Sequence, residues 1–182
     1  MKPQLIIVGL GNPGSSHART RHNAGFQAID VLSENFGEGE WKDAQKFLAE
    51  TQEGRVVTVP ILLVKPQTFM NRSGECIRKI VDFYKINPLE HLLVLTDELD
   101  LPVGSVRFRE KGGPGTHNGL RSIVECIGEG FPRIRIGIGP EPVQTDLASW
   151  VVSAPSAEEA KNIAASMQQI PDMVKKFVMG DA

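Results

Sequence analysis

A histidine and an aspartate far apart in the chain are the residues best suited to acid–base chemistry. His22 stands in RTRHNAGF, just after a glycine-rich turn, and Asp97 follows the apolar run LLVLT. The sequence shows no common metal-ligand pattern, nucleophile elbow or P-loop. Because an imidazole titrates near neutral pH, His22 is the strongest candidate for a general base.

Three asparagines stand where predicted strands end or a helix is about to begin. Asn12 follows the first apolar run, Asn71 follows KPQTFM, and Asn118 lies in the turn GGPGTHNGL. Ligands of open α/β sheets bind outside the carboxyl ends of the strands. We therefore expect these amides to converge on one crevice with His22 and Asp97.

Each of these residues also has a plain structural interpretation. Asn71 and Asn118 are of the type that caps helices, and Asn12 before a proline is ordinary in turns. Asp97 would then hold a turn, and His22 would only begin a helix. The other three histidines are equally compatible with loop positions: His17, His91 and His117. Spacing alone leaves both interpretations open.

The motif GLGNPG, Gly9 to Gly14, matches the dinucleotide-binding pattern G-x-G-x-x-G after a strand. In that pattern a helix opens within the motif, whereas here Pro13 and SSHART postpone it. The next predicted strand also ends without the acidic residue that would hold a ribose. A nucleotide-dependent oxidoreductase is therefore an alternative that rests on this motif alone, and a tight turn with glycines at positive φ is the simpler interpretation.

The elements that must position these residues follow from hydrophobic periodicity. Apolar runs at 5–10, 56–64 and 92–96 predict strands, and the alternating segments SVRFR and RIRIGIG predict two more with arginines on one face. Helical spacing appears in four sets, which begin at Ala28, Ile77, Leu120 and Ala160.

Strands that alternate with helices predict an α/β fold. We expect one domain over 1–182, with a mixed, mostly parallel twisted sheet and helices on both faces. Pro171 is expected to kink or split the C-terminal helix, and GPEPVQTDLASW at 139–150 is expected to be a mobile loop.

Composition limits the class of protein and its location. A chain of 182 residues with 41% hydrophobic content is sufficient for one sizeable core. No apolar run reaches membrane-spanning length, and LIIVGLG lacks the flanks of a signal peptide, so we expect a cytoplasmic protein. Cys76 and Cys126 have no metal spacing and are interpreted as small core residues.

Charge is unevenly distributed along the chain. The net charge of −2 argues against nonspecific coating of nucleic acid. A local basic region is nevertheless present between positions 107 and 135, and its members are Arg107, Arg109, Lys111, Arg121, Arg133 and Arg135.

Four segments resemble, in the same order, those of bacterial-type peptidyl-tRNA hydrolases. They are IIVGLGNPG…TRHNAGF, KPQTFMNRSGE, TDELDLPVGSVRFREKGGPGTHNGLRSI and FPRIRIGIG. The resemblance runs from about Leu5 to about Ser153 and extends more loosely into the C-terminal helix. It implies hydrolysis of the ester between a peptide and the 3′ ribose of tRNA, without cofactor or metal, by a monomer with no obligate protein partner.

The resemblance also implies a role for each matched residue. His22 corresponds to the catalytic histidine and Asp97 to the aspartate that orients it. Arg109 and Arg135 correspond to the basic pair that holds the tRNA 5′ phosphate at the acceptor arm. The substrate-binding residues of the family correspond to Asn12, Met70, Asn71 and Asn118.

Three positions depart from the family pattern. His17 stands where tyrosine is common, so it changes the packing of substrate or adds a titrating group at the mouth of the site. Thr116 replaces a usual glycine and is interpreted as an N-cap. The acidic segment PEPVQTDL after Gly139 replaces a lysine near the acceptor arm, which implies weaker or different tRNA docking. The main alternative function is a noncatalytic RNA-binding relative of the same fold.

Overall fold

A seven-stranded mixed sheet forms the centre of the fold. The computed structural model describes residues 2–181. Along the chain the strands are β1 (Leu5–Gly9), β2 (Lys42–Ala44), β3 (Ala49–Val56), β4 (Val59–Pro66), β5 (Leu92–Glu98), β6 (Val106–Arg109) and β7 (Arg133–Gly137). Their order across the sheet is β2-β3-β4-β1-β5-β7-β6.

The four central strands of the sheet, β4, β1, β5 and β7, are mutually parallel. The flanking pairs β2–β3, β3–β4 and β6–β7 are antiparallel. The predicted mixed α/β fold is confirmed. The carboxyl ends of the four parallel strands meet at one edge, and this edge carries the site described below.

Seven helices accompany the sheet within residues 2–181. They are α1 (Ala24–Phe36), α2 (Ser73–Tyr84), α3 (Pro88–His91), α4 (Asn118–Ile127), α5 (Leu147–Val151), α6 (Ala157–Met167) and α7 (Ile170–Val178). Helices α1, α6 and α7 share one hydrophobic cluster with the sheet, and α2 and α4 share the other. None of the described helices is long and apolar enough to cross a membrane.

Strand β1 shows why the sheet needs helices on both faces. Leu5 and Ile7 belong to one hydrophobic cluster, while Ile6 and Val8 belong to the other. Successive side chains of a strand point to opposite faces, so a continuous apolar run is buried on both sides.

The predicted strand at 56–64 is wrong as a single strand. The run spans a turn at Val57, where φ is +56°, and the chain forms the antiparallel hairpin of β3 and β4. Apolar patterning missed β2 and most of β3 because their residues are largely polar. Backbone pairing with β4 holds this edge of the sheet together, and the apolar pattern of the sequence does not reveal it.

The expectation of two alternating basic strands is correct, but their arginines differ in environment. β6 is an edge strand with exposed Arg107 and Arg109, whereas β7 lies between β5 and β6. Arg133 on β7 is consequently buried, with only 1% of its surface exposed.

The C-terminal segment is divided at the predicted position. α6 ends at Met167, and Pro171 lies in the first turn of α7, where its missing N–H costs no helical hydrogen bond. The interpretation of 139–150 as a loop is wrong in its second half, because α5 begins at Leu147. Asp146 caps α5 by accepting a hydrogen bond from the backbone N–H of Ser149 at 3.2 Å.

Candidate active site

Close packing of β1 against the start of α1 brings His22 to the edge of the sheet. A Cβ added to Gly9 would overlap the carbonyl oxygen of Gly25, and one added to Gly25 would overlap the backbone of Leu10. Gly11 likewise leaves room for the ring of Phe26. Helix–strand packing therefore accounts for these glycines. Within GLGNPG only Gly14 has positive φ, so the expectation that turn conformation explains the motif applies to that residue alone.

The centre of the site is a carboxylate bonded to two histidines. The Nδ1 atom of His22 lies 2.8 Å from one Asp97 oxygen, and the Nε2 atom of His117 lies 2.7 Å from the other. Asp97 lies within β5 and is 3% exposed, so it does not hold a turn. His22 belongs to a 3₁₀ turn, Arg21–Asn23, which precedes α1.

The two histidine partners keep Asp97 ionised. Burial by itself would raise the pKa of Asp97, but His117 and His22 outweigh it and hold this pKa well below its ordinary value. Burial by itself would lower the pKa of His22, but the charge and hydrogen bond of Asp97 outweigh it and raise this pKa. His22 is therefore a buried base whose basicity is increased by the Asp97 carboxylate.

Hydrogen bonds also fix the histidine tautomers. The Nδ1 atom of His117 accepts a hydrogen bond from the backbone N–H of Leu120 at 3.2 Å, so its Nε2 carries the proton donated to Asp97. His22 likewise donates from Nδ1 to the ionised carboxylate. The neutral His22 ring therefore has its lone pair on Nε2. None of the described residues donates a hydrogen bond to that atom.

His117 lies just outside α4, in agreement with a loop position, but its role is more specific than that interpretation implies. It is the N-cap of α4, so the cap interpretations of Asn118 and Thr116 are wrong. α2 has no side-chain cap, which excludes that role for Asn71. The one sequence signal for His117 is its position directly before the start of a helix, in a segment rich in glycine. An ordinary turn would give the same signal.

A network of amides holds Asn12, which follows β1, in place. Asn23 Oδ1 accepts from the backbone N–H of Asn12 at 2.9 Å, and Asn23 Nδ2 donates to its carbonyl at 2.9 Å. The Oδ1 atom of Asn12 accepts from the backbone N–H of Met70 at 2.7 Å. The Asn12 Nδ2 group is thereby left as a donor. Asn23, which is 1% exposed, was missed by sequence reasoning although it adjoins His22.

A cavity of about 480 Å³ opens beside the histidine pair. The residues that line it include Asp97 with its two histidine partners, three arginines and part of α5. The lining includes His22, Asp97, His117, Asn118, Arg109, Arg133, Arg135, Leu147, Ala148 and Val151. The volume is in the range of small-molecule sites, which run from about 300 to 1,000 Å³.

Three arginines cluster on one wall of the cavity, which is also lined by the carboxylates of Asp97, Glu98, Asp100 and Asp146. Arg109 on β6 pairs in register with Arg133 on β7. Arg133 is held by the carbonyls of Glu129 and Phe131, each at 3.1 Å, and burial together with Arg109 lowers its pKa to about 10. It therefore remains charged at neutral pH. Arg135 contacts one carboxylate, that of Glu98, at 3.5 Å.

Comparison with known proteins assigns the family. The family model for peptidyl-tRNA hydrolase matches residues 6–182. The chain belongs to the peptidyl-tRNA hydrolase family. The peptidyl-tRNA hydrolase of Chloroflexus aggregans is 45% identical over 174 residues, which are 95% of this chain and 92% of that protein. The resemblance inferred from the four sequence motifs is confirmed.

Further peptidyl-tRNA hydrolases agree in sequence and in structure. The chloroplastic peptidyl-tRNA hydrolase of Arabidopsis thaliana is 46% identical over 165 residues, which cover 90% of this chain and 56% of that protein. The crystal structure of peptidyl-tRNA hydrolase from Acinetobacter baumannii matches with a TM-score of 0.92 and 38% identity, over 99% of this chain and 91% of that one.

Four residues matched to peptidyl-tRNA hydrolases do not line this cavity, and they are Asn12, His17, Met70 and Asn71. The expected convergence of all three asparagines on one crevice therefore holds for Asn118 alone. Met70 is 4% exposed and packs in the cluster beneath α2 and α4. Asn71 is exposed in the 3₁₀ turn that begins at Met70. The half-buried ring of His17 meets Phe69 edge-on, with the centroids 6.3 Å apart. Substrate contacts by these residues stay predictions.

The histidine–carboxylate cluster also has the donor atoms of a metal site. His22, Asp97 and His117 offer ligand atoms within 4.8 Å of one another. A metal ion would have to replace the protons that join both histidines to Asp97. Since the separations of 2.7 and 2.8 Å are those of hydrogen bonds, the hydrogen-bonded network accounts for the cluster. Metal-free chemistry stays a prediction for this peptidyl-tRNA hydrolase family member.

Proposed function

We propose that the protein hydrolyses the ester between a peptide, or an N-blocked aminoacyl group, and the 3′ ribose of tRNA, with His22 as the general base. The observation that carries this proposal is the buried Asp97–His22 pair at 2.8 Å, whose histidine lines the cavity with the Nε2 lone pair free to accept a proton. Membership of the peptidyl-tRNA hydrolase family supplies the reaction class. The outcome is release of free tRNA from prematurely dropped peptidyl-tRNA.

Water is the nucleophile of the proposed reaction. Nε2 of His22 takes one proton from a water molecule as its oxygen attacks the ester carbonyl, and a tetrahedral intermediate forms. The intermediate then breaks its bond to the ribose oxygen. The imidazolium returns the proton to that oxygen, so the products are a carboxylic acid and the tRNA hydroxyl. The acid ionises in solution, and His22 is regenerated as a neutral base.

Asp97 orients His22 and stabilises its positive charge during proton transfer, as the acid of a catalytic triad does. His117 donates a hydrogen bond to the second oxygen of the same carboxylate. That bond holds the carboxylate plane and satisfies the oxygen that faces away from His22. His117 thus positions Asp97, which in turn positions the base.

Side-chain amides recognise the peptide without reading its sequence. Asn12 has its oxygen engaged by Met70, so Nδ2 is the free donor for a substrate carbonyl. Asn118 is exposed at the start of α4 and lines the cavity. Amide donors stabilise negative charge as it develops on a carbonyl oxygen, and they accept any peptide main chain. Asn71 is assigned to the same recognition on the basis of the family motif.

The arginine wall is proposed to bind the acceptor arm of tRNA. Arg109 and Arg135 hold the 5′ phosphate by charge-assisted hydrogen bonds. A local basic wall is sufficient because a folded tRNA is recognised through its shape and phosphates. The net charge of −2 is compatible with such a restricted contact. We further propose that the protein works in the cytoplasm as a monomer.

The deciding experiment is single-turnover hydrolysis of N-acetyl-aminoacyl-tRNA in the presence of EDTA. Wild type should release the acyl group, and His22→Ala should be slower by about a hundred- to ten-thousand-fold, the usual contribution of a positioned base. His91→Ala is the matched control, because His91 is half-buried, lies outside the cavity and bonds the carbonyl of Gln4 instead. His91→Ala should retain wild-type turnover.

The same experiment distinguishes the alternative function. Binding of tRNA without release by wild type would identify a noncatalytic RNA-binding protein. Wild-type turnover in His22→Ala would remove this residue from its proposed role. Circular dichroism of both histidine variants controls for loss of the fold.

A further inference from the structure

Arg21, the residue directly before His22, is buried and reaches into the C-terminal part of the chain. Only 7% of its surface is exposed. Its Nη1 atom donates to the Ser153 hydroxyl at 2.6 Å and to the Trp150 carbonyl at 3.2 Å. Its Nη2 atom lies 3.5 Å from a carboxylate oxygen of Glu159. One side chain therefore joins the histidine turn to α5, to the segment after α5 and to α6.

The contact continues through the Trp150 ring and the backbone. The guanidinium carbon of Arg21 lies 4.1 Å from the centroid of the Trp150 ring. The backbone N–H of Arg21 donates to the carbonyl of Ser153 at 3.1 Å. A planar guanidinium can stack on a ring and donate sideways at the same time, which an ammonium group cannot do.

Helix α5 forms part of the cavity wall near His22. Leu147, Ala148 and Val151 line the cavity, while Trp150 of the same helix stacks on Arg21. α5 has only five residues, and helices of this length are unstable without tertiary contacts. The position of this wall relative to His22 therefore depends on the contacts that hold Trp150 and Ser153.

We propose that Arg21 is a positioning residue for hydrolysis. It adjoins the base, His22, in sequence, and it holds α5 at a fixed place in the wall of the cavity that His22 also lines. The inference rests on the proposed function and extends it to a residue outside the cavity. With α5 in place, the ester is confined between the helix and Nε2 of His22. Loosening α5 lets bound substrate leave the attack geometry, so the chemical step slows more than binding weakens.

Arg21→Lys tests the proposal because it keeps the positive charge and removes the stacked, branched contact. We expect amide exchange at residues 147–153 to accelerate by about tenfold or more, with core strands unchanged. kcat for N-acetyl-aminoacyl-tRNA should fall by about 10- to 100-fold, with a smaller change in KM. The rise of kcat with pH should stay at the wild-type position, since Asp97 still sets the pKa of His22.

Arg78→Lys is the matched control. Arg78 donates to the carbonyl of Cys126 and to Asp82, so it also bridges elements, but it lies outside the cavity. It should change neither exchange at 147–153 nor kcat.

Trp150→Leu removes the ring while keeping Arg21 and provides a second test if Arg21→Lys folds poorly. It should reproduce the combined effect on exchange and kcat.

Three results would overturn the role of Arg21. The first is faster exchange of α5 with unchanged kcat, and the second is a lower kcat with α5 protected as in wild type. A shift of the pH profile would show damage around His22 itself and would also overturn it. Absence of hydrolysis by wild type would reject the proposed function and the catalytic role of Arg21 together, and exchange would then report on the structural contact alone.

Discussion

At the scale of single residues, the site depends on one carboxylate shared by two imidazoles. Asp97 is almost fully buried, and it keeps its charge because His22 and His117 face its two oxygens. A buried charge without such partners would be costly. The arrangement has two consequences: the His22 tautomer is set, and the pKa of His22 is raised.

Asp97→Asn should shift the pH dependence of hydrolysis. His22 acts as a base only when it is neutral, so kcat rises as pH passes through its pKa. Without the carboxylate charge, burial dominates and lowers that pKa. The rise should therefore move to lower pH, and the maximal kcat should fall because the imidazolium loses its counter-charge. The measurement is kcat against pH for both proteins.

The effect on substrate affinity distinguishes the electrostatic role of Asp97 from a structural one. KM for N-acetyl-aminoacyl-tRNA should stay close to wild type in Asp97→Asn, because the proposed binding groups are elsewhere. Loss of binding together with unfolding would assign Asp97 to the framework instead. An unchanged pH profile would contradict the electrostatic role.

At the scale of elements, His117 links α4 to the carboxylate of Asp97. Its Nδ1 caps the helix and its Nε2 bonds Asp97, so one ring joins the start of α4 to β5. The arginines depend in a similar way on pairing between elements, because the β6–β7 register places Arg109 beside Arg133.

His117→Asn and His117→Ala should differ in stability but not in the direction of their effect on activity. Asparagine is a good N-cap, so His117→Asn should retain about 1 kcal/mol of unfolding free energy that His117→Ala loses. Both variants remove the bond to Asp97 and should slow hydrolysis. Urea denaturation combined with single-turnover rates checks both parts. Equal stability of the two variants would contradict the capping role.

Arg109→Ala and Arg135→Ala should act mainly on tRNA binding. Loss of a charge-assisted hydrogen bond to phosphate costs about 1.5–3 kcal/mol, which corresponds to about a 10- to 150-fold increase in KM where KM reports affinity. A minimal ester without the 5′ phosphate should be hydrolysed almost as by wild type. Steady-state kinetics on both substrates makes the comparison.

Arg55→Ala serves as the control for the arginine variants. Arg55 lies on β3, which adjoins β4 on the side away from β5 and β7. It does not line the cavity. It should leave KM for both substrates unchanged. Equal losses on the two substrates in Arg109→Ala or Arg135→Ala would show that these arginines do not recognise the phosphate.

At the scale of the whole molecule, the Asp97 network couples stability to pH. The pKa of Asp97 is lowered by folding, so its contribution is present above the unfolded value of about 3.9 and is lost as pH falls. The pKa of His22 is raised by folding, so its contribution is present below about 6.5 and is lost as pH rises through the folded value.

The stability difference between wild type and Asp97→Asn should therefore be largest between about pH 4 and 6.5. It should shrink on the acid side as Asp97 becomes protonated, and on the alkaline side as His22 loses its proton. Denaturant unfolding at fixed salt from acid to mildly alkaline pH measures this difference. A difference independent of pH would show that the network contributes through packing alone.

Local patterning was sufficient for much of the architecture. Apolar runs such as LIIVG identify central strands, and helical spacing identifies α1, α2 and α4, because burial repeats along each element with its own period. Pro171 marked the division between α6 and α7. The hairpin at Val57 has no such local signal, because its turn lies inside an apolar run and pairing across it joins separate segments.

The chemical candidates divide in the same way. His22, Asp97 and the three asparagines were recognisable from residue type, position and family motif. Contacts between distant segments decided the rest: His117 shares Asp97, Asn23 fixes Asn12, and Arg21 holds Trp150. None of these contacts leaves a periodic signal, because each joins residues whose separation in sequence bears no relation to their separation in space. Folding alone brings these groups to one edge of the sheet, where burial gives their hydrogen bonds and charges their strength.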